Sequence, residues 1–149
     1  MEINLKKFME NNNLPAEGSK IVVAMSGGVD SSVTAALLNY AGYEVVGVSM
    51  KLYESVKKNN SKACCSGIDI RDARNVAKKI GIKHYIIDYK SKFKESVIDD
   101  FVNSYNRGFT PIPCIKCNQT VKFTDLINFT KSINCKYLAT GHYVKRIEK

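Results

Sequence analysis

The chain has 149 residues, 44% of them hydrophobic and 25% charged, which suffices for one globular domain with its own core. Its longest apolar runs fall far short of the ~20 residues that a membrane-spanning helix needs. The N-terminus mixes charged and Asn residues through every apolar stretch, unlike a secretory signal. We therefore expect a cytoplasmic protein that does not enter a membrane.

Positive charge is concentrated in the last third of the chain. The formal net charge is +9, and residues 101–149 contribute six of these nine charges, with eight Lys or Arg against two acidic residues. A basic face of this kind attracts phosphates and suits a nucleic-acid partner. A well-solvated, lysine-rich surface is the alternative interpretation.

Residues 1–19 are expected to form a lead-in with a short amphipathic helix at 3–11, and the domain is expected to span 20–149. Short apolar runs then alternate with helical patterns: strand 20–25, helix 31–41, strand 44–53, helix 69–80, strand 84–88, helices 93–106 and 119–132, and strand 137–140. This alternation predicts an α/β fold with a parallel, doubly wound sheet. In the first helix, the stripe expected to face the core consists of Val33, Ala36, Leu37 and Tyr40.

A glycine-containing loop follows the first strand, since IVVAM runs directly into SGGVDSS and then into a helix. Gly27 and Gly28 permit backbone angles and close approaches that are closed to other residues. Exposed N–H groups and the helix dipole favour a phosphate, and the hydroxyls of Ser26, Ser31 and Ser32 add donors. The loop matches neither the P-loop nor the dinucleotide fingerprint, so it indicates another nucleotide class. A simple turn is the alternative.

Asp30 lies in the first turn of that helix. A carboxylate beside bound phosphates repels them unless a divalent cation intervenes, and this indicates Mg²⁺ coordination. Capping of the helix N-terminus is the competing interpretation.

The segment AMSGGVDSS resembles the pyrophosphate loop of the ATP pyrophosphatase superfamily, which includes GMP synthetase, NAD synthetase and several tRNA-thiolating enzymes. The resemblance implies an adenine-nucleotide α-hydrolase-like (Rossmann-like) fold with a PP-loop. It also implies that ATP is cleaved between its α and β phosphates, which leaves an adenylated substrate and magnesium pyrophosphate.

Five cysteines, an odd number, favour thiol chemistry or metal binding over a disulfide framework. Cys114 and Cys117 form a C-x-x-C motif between prolines and a predicted helix start, where the helix dipole and nearby lysines can lower a thiol pKa. The same spacing is half of a zinc or iron–sulfur site, to which Cys64 and Cys65 would add ligands. Both interpretations of the motif stay open at this point.

The segment RGFTPIPCIKCNQTVKF resembles the T-P-x-P-[DC]-x-x-C-N-x-x-[IV]-K-F signature of the tRNA-specific 2-thiouridylases. Three further segments resemble the same family in order and spacing: AGYEVVGVSMKLYE, ACCSGIDIRDARNVAKKIGIKHYIIDY and YLATGHYVKR. The resemblance implies an enzyme that activates a tRNA uridine with ATP and replaces its C2 oxygen with sulfur. It implies ATP and Mg²⁺ as cofactors, and tRNA and a persulfide donor or sulfur-relay protein as partners.

Carried over by position, the resemblance implies a site made of three parts. The ATP phosphates would be held by Ala24, Met25, Ser26, Gly27, Gly28, Val29, Asp30 and Ser31. Met50 and Gly141 would border the adenosine, and Ile112, Pro113 and Cys114 would meet the target base. Cys117 matches the N-terminal catalytic cysteine, which acts as nucleophile and redox partner. Cys114 stands where many members have Asp, and its thiol would transfer protons or pair with Cys117.

The two histidines are expected to differ in role. His142 follows Gly141 at the carboxyl end of a strand, where it either faces substrate or packs with a hydrogen bond. His84 opens a strand and has no chemical partner in the sequence, so we expect it to be structural.

The resemblance covers only the first part of such enzymes, which continue into a segment with a second, persulfide-bearing cysteine and then into regions that hold tRNA. We therefore expect the domain at 20–149 to be incomplete at its C-terminal end, with a separate C-terminal segment as a partner. Two alternatives stay open. One is an ATP- or tRNA-binding module without turnover, and the other is a pyrophosphatase that amidates a small molecule.

Overall fold

A computed structural model describes residues 14–53 and 67–144 of the chain. The helix expected at 3–11, Cys64, Cys65 and residues 145–149 lie outside the described residues. The first elements are β1 Lys20–Ala24, α1 Val29–Tyr40, β2 Glu44–Lys51, α2 Gly67–Ile80 and β3 Lys83–Asp88. They are followed by α3 Lys90–Phe93, α4 Asp99–Asn106, α5 Pro113–Cys117, α6 Thr124–Ser132 and β4 Tyr137–Ala139.

The described strands form one parallel sheet in the order β3-β2-β1-β4. On one side β1 pairs with β2, from Lys20 opposite Glu44 to Ala24 opposite Val48, and on the other side it pairs with β4. The chain therefore runs outward from β1 to β3 and then crosses back to add β4. The order reverses between β1 and β4, and ligands of α/β sheets bind at the carboxyl ends of such strands. The predicted doubly wound α/β fold is confirmed.

Two apolar cores lie on opposite faces of the sheet, because the side chains of a strand alternate between its faces. The face bearing Val22 and Val48 is covered by the helices that follow β3; their buried residues are Val97, Cys117, Val121 and Leu126. The face bearing Ile21 and Val23 is covered by α1 and α2 through Ala35, Ala73 and Ala77. The sheet is thus buried on both sides, as its continuous apolar strands require.

Helix α1 packs through a different stripe from the expected one. Val33, Leu37 and Tyr40 are 48%, 46% and 80% exposed, whereas Ser31 and Ala35 are buried. The prediction that these three large side chains face the core was wrong. Both stripes have helical spacing, but small side chains let the helix approach the sheet and the preceding loop closely.

Both helical stretches between β3 and β4 contain π-helical turns, at Lys94–Ile98 between α3 and α4 and at Asn118–Phe123 between α5 and α6. Each stretch begins earlier than predicted, at residue 90 and at residue 113. Pro113 occupies the start of α5, where its fixed φ and missing N–H favour a helix. The cysteine motif is therefore helical, and the prediction that this helix begins only at residue 119 was wrong.

An ion pair between an accessible lysine and a buried carboxylate connects these two stretches. Lys92 Nζ lies 2.5 Å from Asp125 Oδ1, and the Asp125 side chain is only 6% exposed. Burial and the nearby Asp125 charge raise the pKa of Tyr89. Replacing Lys92, whose side chain is 46% exposed, would leave the buried Asp125 carboxylate without its counter-charge, so the pair links the two stretches. Within residues 14–53 and 67–144, no helix is long and apolar enough to cross a membrane.

Candidate nucleotide and cysteine site

The loop between β1 and α1 is shaped by glycine. Gly27 has φ +85°, and a Cβ at this position would lie 2.2 Å from the carbonyl oxygen of Asp69 in α2. Only glycine satisfies both the left-handed backbone and this close approach. Gly28 is extended and precedes the first residue of α1. The loop therefore packs against the first turn of α2 while it leads into α1.

Hydroxyl groups fix the inner side of the loop. Ser31 Oγ donates to the Gly28 carbonyl at 3.2 Å and accepts the Ser26 N–H at 3.2 Å, while Ser32 Oγ donates to the same carbonyl at 2.8 Å. The N–H groups of the first turn of α1 have no acceptors within the helix. Together with the helix dipole they form an anion-binding end that needs little reorganisation.

A cavity of about 280 Å³ opens at the carboxyl ends of β1, β2 and β4. Seven of the predicted cofactor-binding residues line it: Ala24, Met25, Ser26, Asp30, Ser31, Met50 and Gly141. Gly27, Gly28 and Val29 belong to the same loop but do not line the cavity. The position between β1 and β4 is the point where the strand order reverses, as expected for a ligand site.

Gly141 lets the end of β4 pack closely against the first turn of α1. A Cβ at this position would lie 2.8 Å from the Ser31 backbone nitrogen and 3.0 Å from the Asp30 carbonyl carbon. Any larger residue would push the end of β4 away from the first turn of α1. The side chain that follows, His142, also lines the cavity, and its Nδ1 lies 2.8 Å from Thr140 Oγ1.

The wall opposite the loop comes from the helix that begins with the cysteine motif. Lys122, Phe123 and Leu126 line the cavity there, and the Phe123 ring lies 5.6 Å from the His142 ring. The sequence interpretation missed these three residues, together with Val48 and Thr140, as cavity residues. The V-K-F triplet after the cysteine motif was a usable signal. The side of the helix on which its side chains lie, however, depends on the π-helical turns at Asn118–Phe123.

The residues predicted to meet the base and to carry the chemistry do not line the cavity. Cys117 is buried in the core at 6% exposure, whereas Cys114 is exposed and Ile112 is 60% exposed. The structure therefore brings together the predicted ATP residues but keeps both cysteines outside the cavity. Cys117 lies five residues before Lys122, which is about one turn of the π-helical segment between them.

Asp30 is the carboxylate that lines the cavity, and its Oδ1 accepts a 2.8 Å hydrogen bond from the Tyr143 hydroxyl. This bond, followed by the Asp30 charge, raises the pKa of the Tyr143 phenol. Among the described residues there is no group of three or more His, Cys, Asp or Glu that would hold a metal ion.

Residues 19–149 match the family model described as tRNA methyl transferase HUP domain. The chain belongs to this family. This HUP domain is 54% identical over 134 residues to the tRNA-specific 2-thiouridylase MnmA of Anaplasma marginale. The aligned region covers 90% of this chain and 35% of that protein. It is 58% identical over 131 residues to the protein of the same name from Caulobacter vibrioides, covering 87% and 34%. The resemblance to the 2-thiouridylases is confirmed.

The HUP domain spans about a third of the length of the curated relatives that it matches. A solved structure, described as a predicted subunit of tRNA methyltransferase from Methanocaldococcus jannaschii, superposes with a TM-score of 0.55 at 26% identity. That superposition covers 83% of this chain and 53% of the other. It agrees with the parallel sheet and its helices on both faces.

Proposed function

We propose that this HUP domain binds ATP and forms the activating part of a site at which a tRNA uridine exchanges its C2 oxygen for sulfur. One observation carries the proposal. The loop between β1 and α1, here called the phosphate loop, lines the same cavity as the helix that begins with the cysteine motif. Ser26 and Ser31 lie on one wall of this cavity and Lys122 on the other. The nucleotide loop and the helix that carries the cysteine motif thus meet at one crevice at the sheet's switch point, with the two cysteines outside it.

The cavity suits an adenine nucleotide in one orientation. The triphosphate would lie on the loop and on the first turn of α1, where N–H groups have no acceptors within the helix. The adenosine would lie over the apolar ends of β2, at Val48 and Met50, with Gly141 allowing close approach. Lys122 would face the phosphates from the opposite wall, where its ammonium can stabilise charge on an α-phosphate oxygen.

The residues present fit Mg²⁺ bound together with ATP. Mg²⁺ prefers oxygen ligands and is commonly held by one or two carboxylates plus phosphate oxygens and water. Asp30 supplies such a carboxylate beside the loop. When bound, Mg²⁺ would neutralise phosphate charge and so let Asp30 and the triphosphate share the cavity.

The proposed reaction has three substitutions. The uridine O2 attacks the α-phosphorus of ATP, the bond from that phosphorus to the bridging oxygen breaks, and pyrophosphate leaves. The terminal sulfur of a persulfide then attacks C2, the C2–O bond breaks, and AMP leaves with the former carbonyl oxygen. The Cys117 thiolate next attacks the donor's inner sulfur, the S–S bond breaks, 2-thiouridine is released, and Cys117 and the donor thiol are left as a disulfide. In this scheme the loop and Lys122 hold the phosphates, while Cys117, with Cys114 as its partner, serves sulfur release.

Transfer RNA is the proposed polymer substrate, with a persulfide as sulfur donor. The basic residues described in the last third of the chain would contact backbone phosphates, while the exposed Ile112 and Cys114 lie where a splayed base can approach. Binding to unmodified tRNA should then weaken steeply with added salt.

The test uses the whole chain with Mg-ATP and unmodified tRNA. Calorimetry measures ATP binding, and fluorescence anisotropy measures tRNA binding at two salt concentrations. Binding of both ligands supports the proposal. Pyrophosphate release with a small carboxylic acid and ammonia, in the absence of tRNA, would support the amidating pyrophosphatase instead. Absence of ATP binding would refute both.

A further inference from the structure

A chain of hydrogen bonds outside the cavity ends on the phosphate loop. The buried Ser49 hydroxyl donates to the Met25 carbonyl at 2.6 Å, and His84 Nε2 lies 2.9 Å from the same hydroxyl oxygen. Met25 is the first residue after β1 and also donates its N–H to the Val48 carbonyl at 2.7 Å. Both polar groups of the Met25 backbone are therefore held by β2.

The direction of this chain follows from counting protons. A serine hydroxyl has one proton, and Ser49 gives it to the Met25 carbonyl, which can only accept. His84 must therefore donate from Nε2 to Ser49 Oγ, which leaves Nδ1 without a proton. Nδ1 is buried and has no hydrogen-bond partner among the described residues. An unpaired Nδ1 agrees with a neutral imidazole ring that carries its proton on Nε2 and donates it to Ser49.

The packing around the chain leaves little freedom. A Cβ on Gly47 would lie 2.6 Å from Met25 Sδ and 3.1 Å from a ring carbon of His84, so glycine is needed for both side chains to fit. Gly47 and His84 are paired across β2 and β3. Met25, Ser49 and Gly47 thus form one packed unit between the sheet and the loop.

We infer that His84 is a positioning residue of the phosphate loop, acting through Ser49 on the Met25 carbonyl. The inference rests on the proposed ATP site. The peptide between Met25 and Ser26 is where the strand turns into the loop, and its orientation decides where the Ser26 N–H points. A fixed Met25 carbonyl keeps this peptide from rotating, so the loop is preorganised for phosphate before ATP arrives.

The experiment compares three variants with the parent chain. His84→Leu keeps the bulk of the side chain but removes the donor, Ser49→Ala removes the link, and His84→Gln restores a nitrogen donor. Val45→Ala is the control, because Val45 is buried in β2 on the same core and pairs with Ile21, near the start of β1 and away from its loop end. Calorimetry gives the Mg-ATP affinity, and hydrogen exchange of the peptide spanning Met25 to Gly28 reports loop order without nucleotide.

His84→Leu and Ser49→Ala should each weaken ATP binding about tenfold, as expected for one buried hydrogen bond, and speed exchange of the loop amides. The double variant should be no weaker than either single one, since both act through one contact. His84→Gln should recover most of the affinity. Affinity and loop exchange equal to those of Val45→Ala, or additive losses, would overturn the inference. If the parent chain fails to bind ATP, the proposed function falls, and loop exchange alone decides the role of His84.

Discussion

The Tyr143 hydroxyl donates a 2.8 Å hydrogen bond to Asp30 Oδ1, which joins the segment after β4 to the first turn of α1. The contact orients the Asp30 carboxylate at the edge of the cavity. A carboxylate has two oxygens, so Asp30 can keep this bond and still offer Oδ2 to a cation. The arrangement fits a cation ligand better than a helix cap, because Gly28, and not Asp30, occupies the N-cap position of α1.

Replacing Asp30 with Asn should weaken Mg-ATP binding by about 1–3 kcal/mol, since it removes a charge but keeps the size and an acceptor oxygen for Tyr143. Calorimetry with Mg²⁺ and with a chelator separates the causes. Without Mg²⁺ the variant should bind ATP at least as well as the parent, because a repulsive charge is gone. Asp72→Asn on exposed α2 is the control. If Asp30→Asn lost the same ATP affinity with and without Mg²⁺, Asp30 would not be a cation ligand.

Lys122→Met should weaken ATP binding by about 1.5–3 kcal/mol, the range for a charged hydrogen bond. The same change should leave adenosine binding almost unaltered, because the ammonium is proposed to face the phosphates. Lys131→Met, on an exposed part of α6, provides a matched loss of charge. Titration of each variant with ATP and with adenosine is the measurement. Similar losses of affinity for ATP and for adenosine would place Lys122 beside the adenosine rather than beside the phosphates.

His84 should make the folded state lose stability as the pH falls below 6.5. Burial, and then the charge of Arg74, lower the pKa of His84 below the value of 6.5 that it has in an unfolded chain. Above pH 6.5 its contribution is fully present. As the pH falls towards the pKa of His84 in the folded chain, His84 binds a proton in the unfolded chain but stays neutral in the folded chain. The free energy of unfolding therefore decreases.

Urea unfolding between about pH 7.5 and pH 5.5 measures this slope. The parent chain should lose stability faster than His84→Gln over that range, whatever the absolute stability of the variant. Because all other titrating groups are shared, the difference between the two slopes belongs to His84. Parallel slopes would contradict the lowered pKa.

Alkylation of the thiols should follow their exposure. Cys114 is exposed, whereas Cys117 and Cys135 are 6% and 4% exposed, and Cys135 Sγ also donates to the Lys20 carbonyl at 2.9 Å. Iodoacetamide should therefore label Cys114 before Cys117, with Cys135, which is as buried as Cys117, as the internal control. Peptide mapping by mass spectrometry gives the rates. Labelling of Cys117 as fast as Cys114 would mean that α5 opens readily in solution.

The local parts of the site could be predicted from sequence, and the contacts between distant segments could not. Strand, glycines and helix are contiguous from Ala24 to Ser31, so their geometry follows from the order of residues. The approach of Lys122 to that loop depends on the crossover that places β4 beside β1 and on the π-helical turns at Asn118–Phe123. Neither has a signature in local hydrophobic periodicity.

His84 illustrates the same limit on a smaller scale. In the sequence it opens a strand and has no neighbour with which to react. Its partner Ser49 is 35 residues away and becomes adjacent only because β2 and β3 pair in parallel. The expectation of a structural histidine was reasonable for an isolated residue, and the register of the sheet is what gives it a connection to the loop.

The chain alone should not complete repeated thiolation of tRNA. Sulfur transfer needs a persulfide within about 3.5 Å of the activated C2 carbon. No described cysteine lines the cavity, and Cys117 is buried in the core. The curated relatives are nearly three times as long as the matched region, so their remaining parts are the natural source of the missing contacts.

The assay incubates the chain with ATP, Mg²⁺, unmodified tRNA and a persulfide donor, and then measures 2-thiouridine by mass spectrometry of the digested tRNA. Multiple turnovers by the chain alone would refute the prediction. Adding the remaining part of a full-length relative in trans should restore product. Cys117→Ser should abolish the restored activity, whereas Cys135→Ser, an equally buried thiol, should retain it. Product formed in trans by Cys117→Ser would instead assign the nucleophile to another cysteine and leave Cys117 as a core residue.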